Sequence, residues 1–179
     1  MKIVNNKNKT RIGILGGTFD PPHKGHLYIS NVAVKKLKLD KVIWVITKQN
    51  PFKKKPTLNI KKRIKLSEKI AKKQKKIHIR CFEKKINSNN TFDLLNYLKN
   101  RNKKSILFFL IGADNLIKFH KWKKWKKIPD LAKIVVFARS SYINKALNSI
   151  ASKSLKKKDW MYINSKKINI SSSLIRKVW

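Results

Sequence analysis

Apolar residues fall into short runs separated by lysine-rich stretches, and the period of the pattern changes along the chain. RIGILGG (11–17) is a nearly continuous apolar run ending in two glycines, as in a buried strand that stops at a turn. HLYISNVAVKKLKL (26–39) follows, with Ile29, Val32, Ala33 and Leu37 at helical spacing. KVIWVIT (41–47) is a β-branched strand, and QNPFKKKPT (49–57), with two prolines, predicts a loop. NIKKRIKLSEKIAKK (59–73) is a helix carrying Ile60, Ile64 and Ile70 near one face, and IHIRCF (77–82) alternates like a strand. TFDLLNYLKN (91–100) predicts a helix capped by Asn90 or Thr91. SILFFLI (105–111) is the most apolar strand, followed by KIVVFA (133–138), WMYI (160–163) and a short terminal helix, SSSLIRKV (171–178).

Strands alternating with helices imply βαβ units, hence an α/β fold with a mostly parallel central sheet flanked by helices. No Gly/Ser-rich linker or repeat interrupts the pattern, so residues 1–179 are expected to form a single domain. Ligands of such sheets bind beyond the carboxyl ends of the strands, where the strand order reverses. The glycine pair after the first strand lies at such an end.

Composition narrows the setting. Hydrophobic residues make up 41% of the 179 positions, enough for a sizeable core. No apolar run approaches the ~18 residues of a membrane helix, and MKIVNNKNKT at the start is too polar for a secretory signal. Cys81 is the single cysteine, which excludes an intramolecular disulfide and makes a reducing, cytoplasmic setting the simplest reading. The net charge of +38 admits two readings: a polyanionic partner such as nucleic acid, or compositional drift toward Lys, Asn and Ile. The lysines are dispersed rather than gathered with aromatics, which favours drift. Such a surface still attracts small anions and binds nucleic acid nonspecifically.

The candidate chemistry is concentrated in GILGGTFDPPHKGHL (13–27), which holds His23 and His26, two of the four histidines. Gly16 and Gly17 let a phosphate approach the backbone. Gly25 and His26 open a helix whose N-terminus favours an anion. If His23 precedes the first turn and His26 lies within it, both imidazoles face one ligand and can donate hydrogen bonds to it. The pair could also be metal ligands or simply exposed, although His78, His120 and Cys81 stand at no zinc-like spacing. Asp20 could fix the turn.

GGTFDPPHKGH resembles the first signature of the HxGH nucleotidyltransferase superfamily, and ISSSLIR (170–176) resembles its second. The resemblance implies a Rossmann-like nucleotidyltransferase fold and direct adenylyl transfer from ATP, with Mg²⁺ accompanying the triphosphate and no dedicated protein metal ligand beyond a possible Asp20. It places His23, His26 and Arg176 in catalysis. It places Gly16, Gly17, Thr18, Phe19, Gly25, Ser172 and Ser173 around ATP. Ser172 or Ser173 could equally be an ordinary helix cap.

IGADNLIKFHKW (111–122) resembles the GAD loop and tryptophan of nicotinate-nucleotide adenylyltransferases. By that likeness Gly112 and Asp114 serve the adenosine, and Trp122 stacks on the pyridine ring of nicotinate mononucleotide. WKKWKKI could instead be an amphipathic helix with its tryptophans in the core. Asn50 and Lys53 or Lys54 would face the mononucleotide, and backbone amides near Asn90 and Thr91 would hold its carboxylate. The family's usual tyrosine is replaced by Asn90. FARSS (137–141) matches an arginine segment through Arg139 but lacks its Pro-Gly. The resemblance therefore implies ATP and nicotinate mononucleotide as substrates and deamido-NAD as product, within NAD biosynthesis. Nicotinamide mononucleotide or phosphopantetheine is the alternative acceptor, and a basic nucleic-acid-binding protein the alternative class. Neither oligomeric state nor the nicotinate-to-nicotinamide preference is legible.

Overall fold

The computed structural model describes residues 9–50, 52, 54–138, 142–164 and 172–176. Six strands form one parallel sheet: β1 (Arg11–Gly17), β2 (Lys41–Ile46), β3 (Ile77–Arg80), β4 (Ile106–Gly112), β5 (Lys133–Phe137) and β6 (Trp160–Ile163). Their spatial order is β3-β2-β1-β4-β5-β6, so the direction of winding reverses between β1 and β4. The central strands read as unbroken apolar runs because both of their faces are buried.

Alternate residues feed two core layers. Ile12, Ile14, Val45, Phe109, Ile111 and Val136 meet Leu95 and Leu98 of α4 (Thr91–Arg101) and Leu116 of α5 (Ala113–Lys118) on one face. Trp44, Ile46, Phe108, Leu110 and Phe137 meet Ala33 and Leu37 at α1 (Lys24–Lys36) and Ala71 of α2 (Ile60–Ala71) on the other. Asn59 caps α2 by accepting from the Lys62 amide, and Asn90 caps α4 by accepting from the Asp93 amide.

The crevice at the reversal follows from register. β1 pairs with β4 as far as Leu15 opposite Leu110, while Gly16 and Gly17 continue beside Val45 and Ile46 of β2. Beyond Leu15 the two central strands part, and Ile111 and Gly112 pair with β5 alone. The amide of Thr47 donates to Gly17 O at 2.9 Å, which holds the β1 and β2 ends together on one lip of the opening.

Two differences from the sequence reading have local causes. α1 begins at Lys24, two residues before the expected start, because His23 and His26 supply its caps. Its expected end at residue 39 is cut short at Lys36, and Lys38 turns the chain with φ 49°. Residues 113–131 and 143–154 hold α5, α6 (Ile128–Leu131), α7 (Ile143–Leu147) and α8 (Ile150–Ser154), with two 3₁₀ turns at Phe119–Lys121 and Trp125–Lys127. These pieces are too short to display a helical period, so WKKWKKI is not the continuous amphipathic helix its sequence allows. Among the described residues no helix is long and apolar enough to cross a membrane. α3 (Glu83–Ile86) and α9 (Ser172–Ile175) complete the elements.

Gly13 occupies the middle of β1, where an added Cβ would lie 2.8 Å from Leu39 Cδ1 and 3.2 Å from Val42 Cγ2. Gly13→Ala is expected to cost about 1–3 kcal/mol by overpacking, read from urea unfolding.

Candidate functional site

The chain leaves β1 through a turn built on Phe19, which has φ 50° and is 1% exposed. Left-handed backbone is costly for a bulky residue and persists only where packing over-determines it. Here the ring lies between His26, with centroids 4.5 Å apart, and Trp44, at 5.0 Å. The indole N–H of Trp44 donates to Ser30 Oγ at 2.8 Å, and that hydroxyl donates to His26 O at 2.8 Å. Buried Ser30 thus ties the first turn of α1 to β2.

Both histidines are set by the helix they open. Nδ1 of His23 accepts the Gly25 amide at 3.1 Å, and Nδ1 of His26 accepts the His23 amide at 3.2 Å. This reciprocal cap puts the proton of each neutral ring on Nε2. A second proton on Nδ1 would break the cap. The ring centroids are 3.9 Å apart, so the two rings form one unit at the head of α1.

Around this turn runs a buried polar network. Asp20, 2% exposed, accepts the Thr57 and Leu58 amides at 2.8 and 2.9 Å. Arg176 donates to the Asp20 carbonyl and lies 3.5 Å from its carboxylate, and Ser172 Oγ donates to Pro21 O at 2.9 Å. The peptide between Asp20 and Pro21 is cis. Arg63, 2% exposed, donates to Leu58 O (2.9 Å), Thr18 O (2.5 Å), Thr47 O (2.6 Å) and Lys48 O (3.0 Å). Burial lowers its pKa from the ordinary value, opposed by the charges of Asp20 and Glu83. One guanidinium therefore joins the turn after β1, the end of β2 and the entry to α2.

Beside this turn lies a pocket of about 260 Å³, lined by Gly16 and Gly17 together with Phe109, Ile111 and Trp122. A Cβ on Gly16 would meet nothing within 4 Å, so this glycine keeps backbone open to a ligand. On Gly17 it would touch the Phe19 ring at 3.4 Å. Trp122 is packed by Phe109 and Phe119, at 6.0 and 5.2 Å between centroids, yet still lines the pocket. Core anchoring and availability to a ligand coexist in this ring. Ser88 and Asn90 also line the pocket, and Asp93 backs them: Asn90 Nδ2 donates to Ser88 Oγ and to Asp93 Oδ2, both at 2.6 Å.

The residues singled out from sequence sort into two groups and a remainder. Thr18, Phe19, His23, Gly25, His26, Ser172 and Arg176 gather at the turn, although the chain between the motifs is long. Asn50, Asn90, Thr91 and Trp122 line the pocket with Gly16 and Gly17. Gly112 caps α5 and Asp114 lies in its first turn, at the carboxyl end of β4. Lys53, Arg139 and the side chain of Ser173 lie outside the described residues. Asn50 Oδ1 accepts the Phe52 amide at 2.9 Å, so part of its role is to shape its own loop. Asp20, considered as a metal ligand, instead spends its carboxylate on two amides and Arg176.

Comparisons with known proteins identify the family and the fold. The Cytidylyltransferase-like family matches residues 14–178. A Pelagibacter ubique protein named "Probable nicotinate-nucleotide adenylyltransferase" is 51% identical over 97% of this chain and 96% of its own length. The chain belongs to the nicotinate-nucleotide adenylyltransferase family. It is a nucleotidyltransferase. A same-named Bradyrhizobium protein (strain ORS 278) is 34% identical over 93% of this chain and 95% of its own. The fold matches that of Plasmodium falciparum nicotinic acid mononucleotide adenylyltransferase complexed with NaAD. That match has a TM-score of 0.72 at 20% identity and covers 94% of this chain and 83% of the other.

In this adenylyltransferase, Arg63 is the component that motif reading passes over. Its signal lies in the composition: only six of the 46 basic residues are arginine, and Arg63 stands in a helix otherwise supplied with lysine. A lysine offers a single nitrogen, whereas four separate carbonyls require the fork. Arg63→Leu would leave those carbonyls buried without their donor. The expected loss is about 3 kcal/mol or more by urea or thermal unfolding, with reduced turnover in the fraction still folded.

Asp93 gives a pH test of the polar cluster at the start of α4. Its carboxyl is held below the ordinary value chiefly by the Asn90 side chain, aided by Ser88 and Lys123 and opposed by burial. Its stabilisation is full above the unfolded value near 3.8 and is lost as pH falls through the lower folded value. Asp93→Asn should flatten the stability profile on the acid side of about pH 4, followed by chemical unfolding.

Proposed function

We propose that this chain transfers the adenylyl group of ATP to nicotinate mononucleotide, giving deamido-NAD and pyrophosphate. The observation that carries the reading is the meeting of His23 and His26 with Ser172 and Arg176 around Asp20–Pro21, beside a pocket holding Trp122. The Plasmodium falciparum structures in complex with NaAD and with APC support it, as do the names of the relatives.

In this reading a phosphate oxygen of the mononucleotide attacks the α-phosphorus of ATP. The bond to the β-phosphate oxygen breaks, and pyrophosphate leaves with its electron pair. The acceptor is already an anion, so proton abstraction contributes little. The barrier lies in bringing anions together and holding the charge that moves to the leaving group. The capped imidazoles meet that need by presenting Nε2–H donors whose orientation is fixed before ATP arrives. Arg176 adds positive charge at the same turn.

Gly16 and Gly17 are placed to let both substrates approach the backbone between the turn and the pocket. On the acceptor side, Trp122 offers a planar surface, while Lys121, Lys123 and the start of α4 at Thr91 suit a carboxylate. The α4 amides of Thr91 and Phe92 have no carbonyl one turn earlier within the helix to accept them.

Mg²⁺ fits as a companion of the triphosphate. Among the described residues no three His, Cys, Asp or Glu side chains cluster as a metal site, and the Asp20 oxygens are already committed. The substrate phosphates would hold the ion, where it would neutralise charge on the polyphosphate.

Pyrophosphate release with ATP is expected with nicotinate mononucleotide in preference to nicotinamide mononucleotide or phosphopantetheine, and EDTA should abolish it. His23→Ala and His26→Ala should each lower kcat by roughly 10²–10³-fold. Nonspecific DNA binding at low salt should survive both changes.

A further inference from the structure

We propose that Phe52 is a specificity-determining residue that closes over the acceptor's base, making with Trp122 a two-sided slot that selects flat rings. This rests on the reading of the pocket as the mononucleotide site. Phe52 lines that pocket, and its ring is 9° from parallel to Trp122, with 6.5 Å between centroids. A planar heterocycle between two rings needs roughly 3.5 Å on each face, about 7 Å in all. The 6.5 Å between centroids is an upper limit on the face-to-face spacing, so the rings must part by at least half an ångström to admit one, and an outward shift of one wall opens the slot.

The two walls differ in stiffness. Trp122 is braced from behind by Phe109 and Phe119 and follows a 3₁₀ turn, its amide bonded to Phe119 O at 3.0 Å. Phe52 is 38% exposed and projects from the loop after β2, its amide held by Asn50 Oδ1. The braced ring fixes where the base lies, and the exposed ring adjusts to it. An exposed phenylalanine nearly parallel to a tryptophan across an apolar pocket is poorly explained by core packing. It is well explained by a flat occupant, because stacking on a second face adds affinity without a hydrogen-bond code.

The slot sets acceptor affinity and leaves ATP untouched, since the histidine cap and the Asp20 network lie outside it. Phe52→Ala should raise KM for nicotinate mononucleotide about 10-fold, with KM for ATP and kcat within about 2-fold of native. Phe52→Tyr, which keeps the ring, should restore the native value, while Phe52→Leu, apolar but not flat, should not. Such a split is not what loss of fold produces, because a structural defect lowers kcat or moves both KM values together.

Equal KM values for native, Ala and Leu variants on nicotinate mononucleotide would overturn the slot while leaving the proposed reaction intact. Native protein that turns over phosphopantetheine but neither pyridine mononucleotide would overturn both, since the occupant would then lack a flat ring.

Discussion

The site depends on one constraint: the turn after β1 must be held against the end of β2, and Arg63 does this from inside the protein. Its guanidinium takes carbonyls from Thr18, Thr47, Lys48 and Leu58, while Asp20 takes the amides of Thr57 and Leu58 from the opposite direction. The two side chains thus satisfy backbone polar groups that no sheet or helix reaches. Because Asp20 also meets Arg176, the C-terminal helix docks on the same network. Histidine cap, the loop after β2 and the C-terminal arginine are therefore placed relative to one another by two buried side chains rather than by the sheet alone.

Scarce residues are used where their chemistry has no substitute. The chain has eight acidic residues, and Asp20, Asp40, Glu83 and Asp93 each accept from a backbone amide or organise a polar loop. Arg11 makes a similar junction, donating to Leu37 O at 2.7 Å and lying over the Phe108 ring. Forks and carboxylates fix the loops. The lysines remain mostly a solvated surface, whose positive field still favours anionic substrates.

The helix α1 is capped by the same two side chains that the proposed reaction uses. A serine or aspartate normally caps a helix; here two imidazoles cap it reciprocally, and capping fixes the orientation of each ring. Trp44 contributes at both ends of this arrangement, stacking beneath Phe19 and holding Ser30 through its indole N–H. The strained backbone at Phe19 is thus supported by the same ring that steadies the head of α1.

Local chemistry made much of this legible. The strands, the glycine end of β1, the Asn90 cap and the His23–His26 pair all follow from periodicity or from contacts within four residues, which sequence spacing encodes directly. The resemblance of the two motifs pointed to the reaction. The tertiary structure alone decided that Asp20 anchors loops, that Arg63 is the clamp, and that Phe52 lies opposite Trp122. It also decided how the short helices between residues 113 and 154 are laid out. Apart from the contact of Arg63 with Leu58, these pairings span from 15 residues to well over a hundred, and no local propensity specifies them. They arise because the parallel sheet carries all its strand ends to one edge, where distant side chains must satisfy one another's backbone groups.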